Sequence, residues 1–204
     1  MTVAGYIITF NYTFTLKTMS RVIFATTNKN KVEEAKRILK MQIEGLELPE
    51  VLEIQSLNIK SVVENKASQY FAKIQKPLFV EDSALEFSAL NGLPGTYIND
   101  FCKSIGNAGL LKLLDGYSSR VAKAITAISY VDSTGKISTF IGTITGTISI
   151  KESGQNGFGW DPIFIPDGFS KTFAEMDSLE KDKISMRKIA LENLRDYLLA
   201  LQGK

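Results

Sequence analysis

Five stretches of this chain bring together residue types that can do chemistry, and none of them contains a histidine; the whole sequence has none. That absence removes Ser-His-Asp and Cys-His triads, HExxH zinc sites and imidazole acid–base work. Carboxylates, lysines, arginines and a hard metal ion are left to carry any catalysis. The first stretch, ATTNKNKVEEA (25–35), reads as strand, loop and helix. A helix start presents free N–H groups and the positive end of the dipole, and so attracts phosphate. Asn28 can cap that helix or bond a phosphate oxygen, with Lys29 and Lys31 adding charge. There is no GxxxxGK[ST] loop, and taken alone the stretch is better explained as a solvated cap with surface lysines.

The second is Glu53 in LEIQS, which by itself is indistinguishable from surface charge. The third is FVEDSALEF (79–87), where an apolar strand is expected to end in Glu81, Asp82 and Ser83. Acids at the C-terminal end of a buried strand lie where open α/β sheets bind ligands, and they suit Mg²⁺, which takes one or two carboxylates plus substrate phosphates. A strand running out into solvent gives the same letters. The fourth, NGFGWDPIFIPDG (156–168), gathers Phe158, Gly159, Trp160 and Asp161 in a Gly/Pro-rich loop. Its aromatics either plug a core or form a wall for a nucleobase, with the acid accepting from a base N–H. The fifth, EKDKISMRKIA (180–190), sets Lys181 and Arg187 near a helix start, against the dipole, and so hints at an anion or a carbonyl partner. A salt-bridged surface turn is the plainer alternative.

The elements that must position these residues read as one α/β protein with a mixed sheet. VIFAT (22–26) is a short buried strand, and Val32, Ala35, Ile38 and Leu39 recur at helical spacing after it. A second amphipathic helix runs through Ile59, Val63, Ala67, Tyr70 and Ile74 until Pro77, followed by a strand at LFV (78–80). Residues 100–114 read as a helix broken near Gly106. From Ala122 the pattern alternates, and the turn at Asp132 to Gly135 makes a long hairpin with the stretch that follows. Met186, Ile189, Ala190, Leu194 and Leu198 mark a C-terminal helix.

Bulk composition narrows the partners. A formal charge of +2 gives no general affinity for nucleic acid or for acidic membranes. The single cysteine, Cys102, excludes an intramolecular disulfide and CxxC zinc sites, and suits a reducing cytoplasm. The first nineteen residues, MTVAGYIITFNYTFTLKTM, lack the features of a secretory signal, and no apolar run spans a bilayer. They are read as an extension ahead of a start at Met19, with an added edge strand as the alternative.

Taken together, the stretches form a pattern. TTNKNKxEEAxxIL, VEDS, NGLPGTYI, GFGWDPIFxPDGxxxTFAEM and K-x-x-x-S-x-R occur in the order and spacing of one family. From about Arg21 to the C-terminus the sequence resembles the inosine triphosphate pyrophosphatases, which cleave non-standard purine nucleoside triphosphates. The resemblance implies hydrolysis of ITP, dITP and XTP to the monophosphate and pyrophosphate, using Mg²⁺. It implies an α/β fold of two lobes around a long central mixed sheet with the active site in the cleft, a homodimer, a pyrophosphatase domain over residues 19–204 and an extension over 1–18.

It also implies roles. Thr26, Thr27, Asn28, Lys29, Asn30 and Lys31 match the phosphate-binding loop; Glu53 and Asp82 match the metal ligands, Asp82 being also the proton acceptor. Ser83 matches a substrate contact, Phe158, Gly159, Trp160 and Asp161 the base pocket, Lys181 a substrate-binding lysine, and Arg187 the end of a Ser-His-Arg motif. Met186 stands where the family has the histidine of that motif, and so should weaken base discrimination while leaving phosphate chemistry intact. Two other readings compete: a Maf-type nucleotide pyrophosphatase with another base preference, and a nucleotide-binding protein without turnover.

Overall fold

A computed structural model describes residues 21–48 and 51–202, so the readings made of residues 1–18 lie outside the described residues. The chain runs β1 (Val22–Ala25), α1 (Lys29–Leu39), β2 (Ile43–Leu46), α2 (Ile59–Ile74), β3 (Leu78–Phe87), β4 (Pro94–Gly95), α3 (Ile98–Lys112), β5 (Val121–Val131), β6 (Ile137–Ile148), β7 (Phe164–Pro166), α4 (Ser178–Ile184) and α5 (Met186–Gln202). The seven strands form one mixed sheet in the order β2-β1-β3-β5-β6-β7, with β4 on the edge of β3. β1 is parallel to β2 and β3, whereas the pairs β3–β4, β3–β5, β5–β6 and β6–β7 are antiparallel. The expected α/β class and hairpin are both present.

Side-chain alternation along β5 divides the core. Ile125, Ala127 and Val131 pack with β3 residues Leu78 and Val80 under α2. On the other face, Ile128 and Tyr130 meet α1 and α5 through Ala35, Leu39, Leu191 and Leu194, and farther along Ala122 and Ala124 meet Phe164 and Phe173. α5 lies close on the hairpin because position 142 is glycine: a Cβ there would stand 2.0 Å from the Met186 carbonyl oxygen. Gly106 breaks α3 as expected, at φ 66°.

One expectation is corrected. The strand at LFV does not end at Glu81, Asp82 and Ser83 but continues to Phe87, paired with β5 from Val131 to Ala122. Charged residues persist inside this strand because the cations described below neutralise them, a compensation that local hydrophobicity does not reveal. β1, however, pairs with β3 only at Leu78 and Phe79, and β4 joins the same edge only at Leu85 and Glu86. Between them the edge of β3 from Val80 to Ala84 has no strand neighbour among the described residues, which leaves a notch in the sheet.

Candidate active site

The notch opens into a cavity of about 580 Å³. Glu81, Asp82 and Ser83 line it from β3, Thr26, Thr27, Asn28 and Lys31 from the β1–α1 turn, and Glu53 from the segment before α2. Phe158, Gly159, Trp160, Asp161, Met186 and Arg187 close the other side. Lys29, Asn30 and Lys181 are not among the lining residues. Asn30 and Lys181 instead line a second cavity of about 360 Å³, which Phe158 shares, so that its ring stands between the two.

The turn after β1 is fixed by its own side chains. Thr26 Oγ1 accepts from the Asn28 N–H at 3.1 Å, and Asn28 Oδ1 accepts from the Lys31 N–H at 3.2 Å. Asn28 is therefore the helix cap. Its lysine neighbours diverge: Lys31 turns inward, 3.1 Å from Glu81, while Lys29 is exposed.

Because successive strand residues point to opposite faces, Glu81 and Asp82 enter different environments. Asp82 shares its side of the sheet with α2, which supplies Lys66. Burial raises the Asp82 carboxyl above its ordinary pKa of 3.8, even though Lys31 and Lys66 pull the other way. Lys66 also pairs with Glu53. Burial would lower the ammonium pKa, but Asp82 and Glu53 outweigh it and raise it. The site thus holds two hard carboxylates beside one lysine, and among the described residues there is no cluster of three or more metal-binding side chains. Such a pair suits Mg²⁺ completed by phosphate oxygens and water rather than a metal held by protein alone.

Glu81, on the opposite face, receives Arg187 from the first turn of α5. The guanidinium forks onto the carboxylate with Nε–Oε2 and Nη2–Oε1 both at 2.9 Å, and its third nitrogen donates to Glu34 of α1. Glu34 in turn accepts from Lys181 at 3.1 Å, and Lys181 donates to Asp161 at 2.6 Å. All five side chains are buried. Burial pushes Glu81 up, yet Arg187 and Lys31 hold it down to about 2. Glu34 is likewise lowered by Arg187 and Lys181 against its burial, whereas burial wins at Asp161 and raises it. Arg187 is desolvated, but Glu81 and Glu34 keep it firmly protonated.

The aromatic loop contains both kinds of aromatic. Trp160 is core: it lies edge-on to Phe164 at 5.5 Å and belongs to the cluster under α3. Phe158 is half-buried, with the Lys181 ammonium 4.9 Å and the Arg187 guanidinium carbon 5.4 Å from its ring centre. Asp161 fixes the loop by accepting from the Phe158 N–H at 2.8 Å, and a Cβ at Gly157, where φ is 73°, would stand 2.1 Å from that carboxylate. Asn107 of α3 donates to the Gly159 carbonyl at 3.0 Å. Met186 is buried and presents no donor to the cavity. Ser83 Oγ donates to Glu81 at 3.4 Å.

Sequence reasoning missed Glu34, Lys66 and the pairing role of Glu81. Glu34 carries a faint signal, since it sits one turn from Ile38 on a helix whose inward face is otherwise apolar. Lys66 carries none, because a lysine in an amphipathic helix is ordinarily solvated.

Comparison with known proteins identifies the lineage. Residues 22–197 match the model of the Ham1 family. The chain is 41% identical to the dITP/XTP pyrophosphatase of Methanopyrus kandleri over 180 residues, covering 87% of this chain and 95% of that one. It is 39% identical to the inosine triphosphate pyrophosphatase of Kluyveromyces lactis over 185 residues, covering 87% and 95%. Its fold superposes on the Ham1 protein of Staphylococcus aureus with a TM-score of 0.77 at 28% identity, over 88% of this chain and 98% of the other. With a family match over most of its length and relatives at about 40% identity, the chain belongs to the Ham1 family.

Proposed function

We propose that this protein hydrolyses ITP, dITP and XTP between the α- and β-phosphates, giving the monophosphate and pyrophosphate. Relatives named for those activities at about 40% identity support the reaction class. The observation that carries the reading to this chain is the notch in the sheet: it opens one cavity onto Asp82, Glu53 and Lys66 on one side and Phe158 and Arg187 on the other.

Glu53 and Asp82 are the residues that would hold Mg²⁺, which when bound neutralises phosphate charge and activates water. Asp82 takes the proton from the attacking water; burial gives it a higher proton affinity than an ordinary aspartate, which suits a base. Lys31 and Lys66 offset the charge that grows on the departing pyrophosphate. Phe158 stacks on the purine, worth roughly 1–3 kcal/mol. Arg187 has five N–H groups and commits three to carboxylates, so it keeps donors for a 6-oxo oxygen. Adenine presents an amino group there and leaves a buried donor unpaired, a strong means of rejection. Met186 adds no second donor, so discrimination rests on Arg187.

The notch is read as the cleft between two lobes, and residues 19–204 as the catalytic domain, with 1–18 an extension. A cytoplasmic homodimer completes the proposal; light scattering at twice the 22.6 kDa chain mass is the expected result.

Pyrophosphate release from ITP, XTP, dITP, ATP and GTP with Mg²⁺ tests the function. Rapid release from the 6-oxo substrates, abolished in Asp82→Asn, is expected. A folded protein that binds ITP but releases nothing would replace the enzyme reading with that of a binding protein.

A further inference from the structure

The cavity has an unfavourable charge balance for the substrate proposed above. Lys31, Lys66, Lys103 and Arg187 face Glu53, Glu81, Asp82, Asp100 and Asp161, four cations against five carboxylates. Three of the cations are already engaged: Lys31 with Glu81, Lys66 with Glu53, and Arg187 with Glu81 and Glu34. Lys103 is the exception. It is exposed on the first half of α3 and makes no ion pair among the described residues, not even with Asp100 one turn earlier.

We propose that Lys103 is a phosphate-binding residue, the unshared cation that meets the triphosphate chain; the proposal rests on the pyrophosphatase reading. A triphosphate that recruits Lys31 or Lys66 must share each with a carboxylate already paired to it, Glu81 or Glu53, which cancels much of the attraction. Lys103 gives up only water. The scaffold holds it over the cavity mouth from both ends. Ahead of α3, Thr96 Oγ1 donates to the Ser56 carbonyl at 2.6 Å, tying the start of the helix to the Glu53 segment. Beyond it, Asn107 is bonded to Gly159 of the aromatic loop. Lys103 lies between these anchors and before the break at Gly106, in the first half of α3. Lys29, a lysine of the loop matched to phosphate binding, does not line the cavity, so Lys103 supplies from α3 the free charge that the phosphate loop does not.

The test uses the full chain as wild type and as Lys103→Ala, Lys103→Arg and Lys103→Glu, checked for equal melting temperature. KM and kcat for ITP are measured at fixed Mg²⁺, with inhibition by pyrophosphate, a phosphate chain without a base, and by inosine, a nucleoside without phosphate. Loss of one charge-assisted hydrogen bond raises KM about tenfold in the alanine variant. Pyrophosphate inhibition weakens in parallel, while inosine inhibition and kcat stay within about threefold. Arginine restores binding and glutamate weakens it further. The proposal is overturned if alanine and glutamate leave KM and pyrophosphate inhibition unchanged in an active enzyme. It is also overturned if arginine is as poor as alanine, or if inosine is affected equally, since both point to packing rather than charge. If wild type releases no pyrophosphate, the functional reading has failed instead. Calorimetry of pyrophosphate binding to wild type and Lys103→Ala then decides the role of Lys103 directly, equal affinities refuting it.

Discussion

Replacing Arg187 by methionine tests whether the buried ionic network is held together as the geometry indicates. The substitution keeps length and apolar packing but removes a guanidinium that serves two buried acids. Glu81 retains Lys31 at 3.1 Å, and Glu34 retains Lys181 at 3.1 Å, so neither is fully orphaned. The depression of Glu81 from 4.5 to about 2 corresponds to about 3 kcal/mol of preference for the charged form. Breaking a buried pair typically costs about 3–5 kcal/mol, and at 2–4 °C per kcal/mol for a domain of this size the melting temperature should fall by roughly 10 °C at neutral pH. The sign of the pH dependence follows from the same residue. In the wild type, a folded pKa below the unfolded one gives stability that is fully present above 4.5 and is lost as pH falls from there through about 2. In the variant, burial without the arginine drives Glu81 upward, and protonation relieves the strain as the solution is acidified. The gap between the two melting curves should therefore narrow steadily from pH 7.5 to pH 4. Glu81→Gln combined with Arg187→Met should recover much of the loss at neutral pH. Calorimetric scans at several pH values measure all of this. A gap that is independent of pH, or that persists undiminished in the double variant, would refute the argument that Arg187 acts by compensating Glu81.

Two further outcomes follow from the site. In the metal-free protein the Asp82 carboxyl should titrate above 3.8, the ordinary value for aspartate, because burial raises it, as read from its carboxyl carbon by NMR; a value at or below 3.8 would show that the neighbouring lysines outweigh burial. Met186→His should raise the ITP/ATP ratio of kcat/KM by about tenfold, the worth of one added hydrogen bond to a 6-oxo group, while an unchanged ratio would show that Arg187 suffices.

The helices and the hairpin were legible because each answers to a local rule. Helical spacing gave α1, α2 and α5, alternation gave β5 and β6, and the change of period at residue 122 separated the two halves. β2 and α4 were missed: IEGL is four residues with a glycine, and Ser178–Ile184 is two turns of mostly charged residues. Neither has enough length for a period to register; pairing with β1 holds the first, and contacts with α1 and α5 hold the second. The extent of β3 was missed for a different reason. A carboxylate inside a strand reads as the end of the strand unless its counter-charge is known, and Arg187 lies 106 residues away.

That separation also explains what the site withheld. Sequence placed Glu81 and Asp82 side by side and invited a common role, yet adjacency in a strand is the one arrangement that sends two side chains to opposite faces. Asp82 is thereby delivered to the side of α2, where Lys66 and, from the segment before the helix, Glu53 stand beside it, and Glu81 to α5, whose Arg187 stands with Lys181 of α4 against the Phe158 ring. On the proposed function, the two neighbouring acids would divide the substrate between them, one at the triphosphate and one, through Arg187, at the purine. A shift of β3 by one residue against β5 would exchange the two carboxylates and destroy both halves at once. The long pairing with β5, which runs through the acids instead of stopping at them, is therefore as necessary to the chemistry as the acids themselves.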